Sequence, residues 1–283
     1  MRIKNLISKI SGFVFIATLL FSITNDVFAQ QPRGRTTDGA IIYSYGNNAN
    51  GTIINVLAPL VFDEEFWAST LDVALWDTSG AVGGGVVSFA DTTGGVMVIT
   101  TAGADNDDFQ VGSDEQIFLA SNPFGFEATL IMNDVSGSSF FVGLADSGQY
   151  NVNDSLALFI NSGVNDTLTS HGGISNGVGF VFDADANADS VYGGYINAGT
   201  VGSLVSASRA SNNTVPSDNE EIIIRLEVDA SQTAKFFVNN TQIGSVASAV
   251  ASTAKLNLVI HVLNREGSAN VYRVGRYIAW GKR

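Results

Sequence analysis

From residue 60 onward, apolar and polar positions alternate with a period of two, in short segments divided by Gly, Asn, Asp and Ser. The pattern is clearest in Glu220–Val246. Ile222, Ile224, Leu226 and Val228 alternate with Ile223, Arg225, Glu227 and Asp229. That spacing puts four aliphatic side chains on one face of a strand and mostly charge on the other. A polar break at Asp229–Gln232 is followed by a second strand, Thr233–Val238, with Phe236 and Val238 pointing inward. Asn239-Asn240 suits a two-residue turn, because Asn tolerates positive φ better than most residues. Thr241–Val246 then returns as a third strand, completing an antiparallel meander with one wet and one dry face.

The same signal marks Val86–Ala90, Val96–Thr101, Gln116–Ala120, Phe126–Asn133, Ser139–Ala145 and Leu156–Asn161. It continues in Val178–Asp183, Val191–Ile196, Leu256–Leu263 and Val271–Trp280. Phe126, Ala128, Leu130 and Met132 form one expected inner row; Leu256, Leu258, Ile260 and Val262 form another. A helical period is confined to one turn around Glu64–Thr70. A dozen strands without helices predict an all-β fold of two packed antiparallel sheets.

Before this region the pattern changes twice. Met1–Ala29 reads as a secretory signal: Arg2, Lys4 and Lys9 form the positive start and Phe13–Phe21 the apolar run. Val27-Phe28-Ala29 supplies a cleavage site. The apolar run is shorter than the roughly 20 residues a membrane-spanning helix needs. Gln30–Pro59 is polar and turn-rich around Tyr43–Gly51 and is expected to be a short arm or an edge hairpin. Leu60–Arg283 is then the sandwich. Export to the outside of the cell is the expected destination, with a virion as the alternative.

Charge narrows the partners. Of 283 residues, 27 are Asp or Glu and 14 Lys or Arg, a net charge of −13. Nucleic acid and anionic membrane surfaces would repel such a chain. Cysteine is absent, so neither disulfides nor thiolate metal sites are available.

The succession FEATLIMND, FFVGLAD, GVGFVFDAD, IIIRLEVDASQTAKFFVNNTQIGSV, LNLVIHVLN and YRVGRYIAW resembles the concanavalin-A-like lectin/glucanase jelly roll. More narrowly, it looks like the jelly-roll structural proteins of tailed, particularly marine, bacteriophages. The likeness covers about Leu60–Arg283 and lies in the order of strands. It implies a concanavalin-like jelly roll, and such folds host many activities.

Glucanases of this kind use carboxylates at alternate positions of one strand. The nearest approach is Glu227-Val228-Asp229, which lacks a third acid and runs into a turn, and Asp63-Glu64-Glu65 alternate faces. Gly173-Ile174-Ser175-Asn176-Gly177, just after His171, matches the G-x-S-x-G nucleophile elbow, which needs a strand before it and a helix after it. A polar loop surrounds it instead. His261 is expected to face outward beside Asn257. No catalytic residue is assigned, and the chain is expected not to be an enzyme.

Two other features could bind. Asp183, Asp185, Asn187 and Asp189 imitate the start of a calcium loop, although Ala188 and Gly194 stand where its Gly and Glu belong. The loop is therefore not an EF-hand; it is either a solvated acidic turn or a looser calcium site, the latter helped by Asp105, Asp107 and Asp108 if those loops converge. Tyr192 and Tyr195, with Tyr150, are candidates to stack on sugar rings. Trp76 and Trp280 are expected in the core. The expected function is a non-enzymatic structural or surface subunit of a virion-decoration or filament type, oligomeric with itself or its neighbours; the alternative is a secreted, lectin-like carbohydrate-binding module with glycan partners.

Overall fold

A computed structural model describes residues 60–281, apart from 65, 67–75, 80–83, 91–94, 114–115, 147–157, 162–166, 171–172, 187–188 and 207–214. The expected signal segment and arm (1–29 and 30–59) lie outside the described residues, as do Trp67, Tyr150, His171 and Asn187. The strands belong to one unit, Ala58–Arg283.

In chain order the strands are β1 (Leu60–Glu64), β2 (Trp76–Ser79), β3 (Val86–Ala90), β4 (Val96–Thr100), β5 (Asp108–Ser113) and β6 (Phe118–Leu119). Then come β7 (Phe124–Met132), β8 (Ser138–Ala145), β9 (Leu158–Asn161), β10 (Thr167–Ser170), β11 (Gly177–Asp183) and β12 (Tyr192–Asn197). The last are β13 (Thr200–Val201), β14 (Glu221–Val228), β15 (Ala234–Val238), β16 (Thr241–Val246), β17 (Lys255–Asn264) and β18 (Val271–Gly281). The described residues contain no helix.

Two eight-stranded sheets result, with β9 and β10 pairing separately as an antiparallel hairpin, and they confirm the all-β sandwich. The first runs β16-β15-β14-β7-β18-β4-β3, with β1 also on β18; the second runs β13-β12-β11-β8-β17-β5-β2, with β6 also on β17. All pairings between these strands are antiparallel. The meander forms as its pattern demands: Ile222, Ile224, Leu226, Val228, Phe236 and Val238 are buried together. Asn239 and Asn240 take φ of 47° and 64°, the left-handed pair that a tight hairpin needs.

The inner rows interlock across the interface. Phe180 of the second sheet meets Phe126 and Phe236 of the first edge to face, with centroids 6.0 and 5.7 Å apart. These geometries exploit the ring quadrupole and add to the burial of apolar surface. Trp76 belongs to this core. Trp280 does not: it is only partly buried and alternates outward on the first sheet, because the bulge between Val274 and Tyr277 resets the register of β18.

Candidate functional site

A β-strand with one face in the core presents its alternate residues on the other face. On the outer face of the second sheet these are Asp108, Gln110 and Gly112 of β5, Asn257, Val259, His261 and Leu263 of β17, and Phe141, Gly143 and Ala145 of β8. They continue with Gly177, Gly179 and Val181 of β11 and Tyr192, Gly194 and Ile196 of β12. The face divides into two halves of different chemistry.

The half over β8, β11 and β12 is apolar. Phe141, Ala145, Val181, Tyr192, Ile196 and Val259 form a second small core with Leu168 of β10 and Ile174. The Phe141 ring lies flat on glycine backbone: a β-carbon at Gly143 or Gly179 would come within 2.8 or 2.9 Å of it. The β9–β10 hairpin packs over this half, against β11, β8 and β13. The half over β17 and β5 is polar. Asp108, Gln110, Asn257 and His261 are 5, 2, 2 and 0% exposed. His261 Nε2 lies 3.2 Å from Asp108 Oδ2, and Asn257 Nδ2 donates to the Ser113 carbonyl at 3.2 Å. Asp77, paired with Gly112 on the edge strand β2, is exposed beside them.

This geometry corrects the expected place of His261: it lies in a buried polar column, not on the surface. The signal was available, since a strand in a larger sheet can bury both faces, and Asn257-x-x-x-His261 recurs with even spacing. β5 itself had no such signal, because Asp108-Phe-Gln-Val-Gly-Ser113 reads as loop composition although all six residues are buried.

The two tyrosines do not form a platform. Three residues apart on one strand, they point to opposite faces. Tyr192 is 6% exposed within the second small core, whereas Tyr195 packs against the main core with its ring over Gly202. Burial removes Tyr192 as a sugar-stacking side chain.

The acidic loop is organised by an arginine. Arg265 donates from Nε and from its terminal nitrogens to both carboxylate oxygens of the fully buried Asp183, and to Asn106 Oδ1 at 2.7 Å. Asp185 Oδ2 lies 3.7 Å from the same guanidinium. Asp107 instead accepts the Ala104 N–H, Asp105 is exposed, and Asp108 faces His261. The loops do converge, but a cationic side chain fills the role assigned to calcium. Among the described residues no three His, Asp or Glu side chains are placed to hold a metal. Burial still raises the Asp183 carboxyl above its ordinary range, although the Arg265 pair opposes this.

Ser175 is not a nucleophile on an elbow. It is exposed, and a strand, β11, follows it where a helix is required. Its N–H, with that of Asn176, donates to Asp146 Oδ1; Asn176 Oδ1 in turn accepts from Ala198 and Ala251. This motif ties loops together.

No protein-family model matches the chain, and no curated protein matches its sequence. Solved structures do. The carbohydrate recognition domain of Emp47p shares 11% identity at a TM-score of 0.52, over 77% of this chain and 94% of that one. The corresponding domain of Emp46p, in its potassium-bound form, shares 12% at 0.51, over 77% and 94%; the same domain has a metal-free form. A β-glucanase from Bacillus licheniformis shares 12% at 0.52, over 79% and 98%. At such identities the likeness is one of fold: a concanavalin-like jelly roll. The expectation of a chain that is not an enzyme is corrected here, because an enzyme stands among its fold neighbours beside lectin domains.

Proposed function

We propose that the chain is a carbohydrate-binding jelly roll whose ligand lies over the outer face of the second sheet, where the buried polar column Asp108–Gln110–His261–Asn257 sets the geometry of the surface above it. The observation that supports this is the division of the outer face of the second sheet. Four polar side chains kept out of water carry a desolvation cost, while the adjoining half of the face is apolar. A carboxylate, two amides and an imidazole, engaged with one another and with neighbouring groups, make a fixed polar layer beneath that face. The carbohydrate recognition domains among the fold neighbours point the same way. No step is assigned to a metal, since Asp183 is committed to Arg265. A role as a virion or filament subunit has no support from these comparisons.

A second reading, glycan hydrolysis at the same face, is favoured by the Asp108–His261 contact, a carboxylate orienting an imidazole. Glycan-array binding of the full chain tests the first reading. Retention on a defined glycan, lost in Asp108→Asn with an unchanged Tm, is expected, and silence across a broad array would refute it. Release of reducing ends from a bound glycan would establish the second. Export is part of the proposal, and the mature protein is expected to begin near Gln30.

A further inference from the structure

The outer face of the first sheet carries two registered rows. One crosses β18, β7, β14 and β15 as Trp280, Gly125, Glu227 and Lys235; the next is Ile278, Glu127, Arg225 and Phe237. Trp280 lies flat on the sheet: a β-carbon at Gly125 would come within 2.6 Å of its Cζ2. The ring remains partly exposed. The Arg225 guanidinium stacks 4.3 Å from the Phe237 centroid, and its Nε lies 3.5 Å from Glu227 Oε1. At about 4.8 Å between strands, the row from Trp280 to Lys235 spans roughly 14 Å.

The charge of this face is unlike that of the molecule. Arg225, Lys235, Arg273 and Arg276 are four of the six described Lys and Arg, and they stand against Asp63, Glu127, Glu221 and Glu227. Within a chain of net charge −13, this is a charge-balanced surface. A charged partner gains nothing from a balanced face, whereas a neutral one with many hydroxyls can donate to Glu227 and accept from Lys235 and Arg225. A flat, partly exposed indole beside those groups fits the apolar C–H face of a sugar ring.

We propose that the Trp280–Glu227–Lys235 row is a second glycan-binding platform, for a neutral polysaccharide chain laid across the strands. It rests on the carbohydrate reading for the class of ligand only, since it uses the opposite face from Asp108 and His261.

Affinity electrophoresis of the full chain in gels holding a soluble neutral β-glucan, with polygalacturonate as the charged control, tests it. Retardation by the neutral glucan alone is expected. Trp280→Ala should weaken it about tenfold, the loss of one aromatic contact, and Lys235→Ala measurably, whereas Asp108→Asn should leave this component in place. Lys235 is exposed, so its variant reads the platform even if Trp280→Ala does not fold. Retardation unchanged in Lys235→Ala and Trp280→Ala but lost in Asp108→Asn would overturn the platform and leave the polar column standing. Retardation by polygalacturonate alone, or by neither polymer, would also overturn it.

Discussion

Single residues in this sandwich are decided by burial more than by their neighbours in sequence. Glu127 sits on the first sheet between Arg225 and Ile278, and burial raises its carboxyl above 4.5 despite opposition from Arg225 and Arg276. A carboxyl whose folded value lies above its unfolded one binds its proton more tightly when folded. The resulting stabilisation is complete below about pH 4 and is lost as pH rises through the folded value. Glu127→Gln should therefore match the parent at pH 4 and become the more stable of the two toward pH 8, as read from Tm across that range; an advantage at pH 4 only would contradict this. Asp183 obeys the same sign, with burial outweighing the opposing Arg265 pair. Arg265→Ala leaves a buried carboxylate without its counter-charge and should cost about 3–5 kcal/mol in chemical denaturation. The acidic run Asp183–Asp189 was legible as a local pattern. Its meaning was not, because Arg265 lies 82 residues away, and no local rule predicts which distant cation will arrive.

At the scale of elements, alternation was clearest where one face of a strand is only partly covered. The rows of β7 and β14 and the turn at Asn239-Asn240 follow directly from alternation and from the tolerance of Asn for positive φ. Asn239 also fixes the hairpin to the adjacent strand: its Oδ1 accepts the Ile223 N–H at 2.9 Å, and its own N–H donates to the Ile223 carbonyl at 2.8 Å. Asn239→Ala removes the first bond and keeps a Cβ at φ 47°, so a loss of about 1–2 kcal/mol in urea unfolding is expected. Among strands covered on both faces, β8, β11 and β17 were legible as apolar runs, whereas β5 was not. β5 alternates Phe109 and Val111 toward the main core with Asp108 and Gln110 toward the outer face, and its polar residues resemble a loop until the sheet around them is known. The candidate polar column was hidden for that reason. It is assembled from two strands about 150 residues apart, one of which does not look like a strand.

Across the whole molecule, charge is uneven, and this decides how salt should act. The first sheet balances its charges, and the exposed Arg276–Asp63 pair there is worth only about 0–1 kcal/mol. The loops around the second sheet carry Asp105, Asp107, Asp146, Asp185 and Asp189, with Arg265 bound among them, and the chain as a whole keeps a net charge of −13. Folding draws these like charges closer than the unfolded chain does, so their repulsion opposes the compact state. Salt screens both effects, since the Debye length falls from about 30 Å at 0.01 M to about 3 Å at 1 M. Weakening one exposed pair costs little, while relieving the repulsion of a large net charge gains more. Tm should therefore rise between 10 mM and 500 mM sodium chloride at pH 7, and the rise should shrink toward pH 4 as exposed carboxylates take up protons and the net charge falls. A Tm that declines with salt at pH 7 would mean that attractive pairs, not acidic repulsion, govern the electrostatics of this fold.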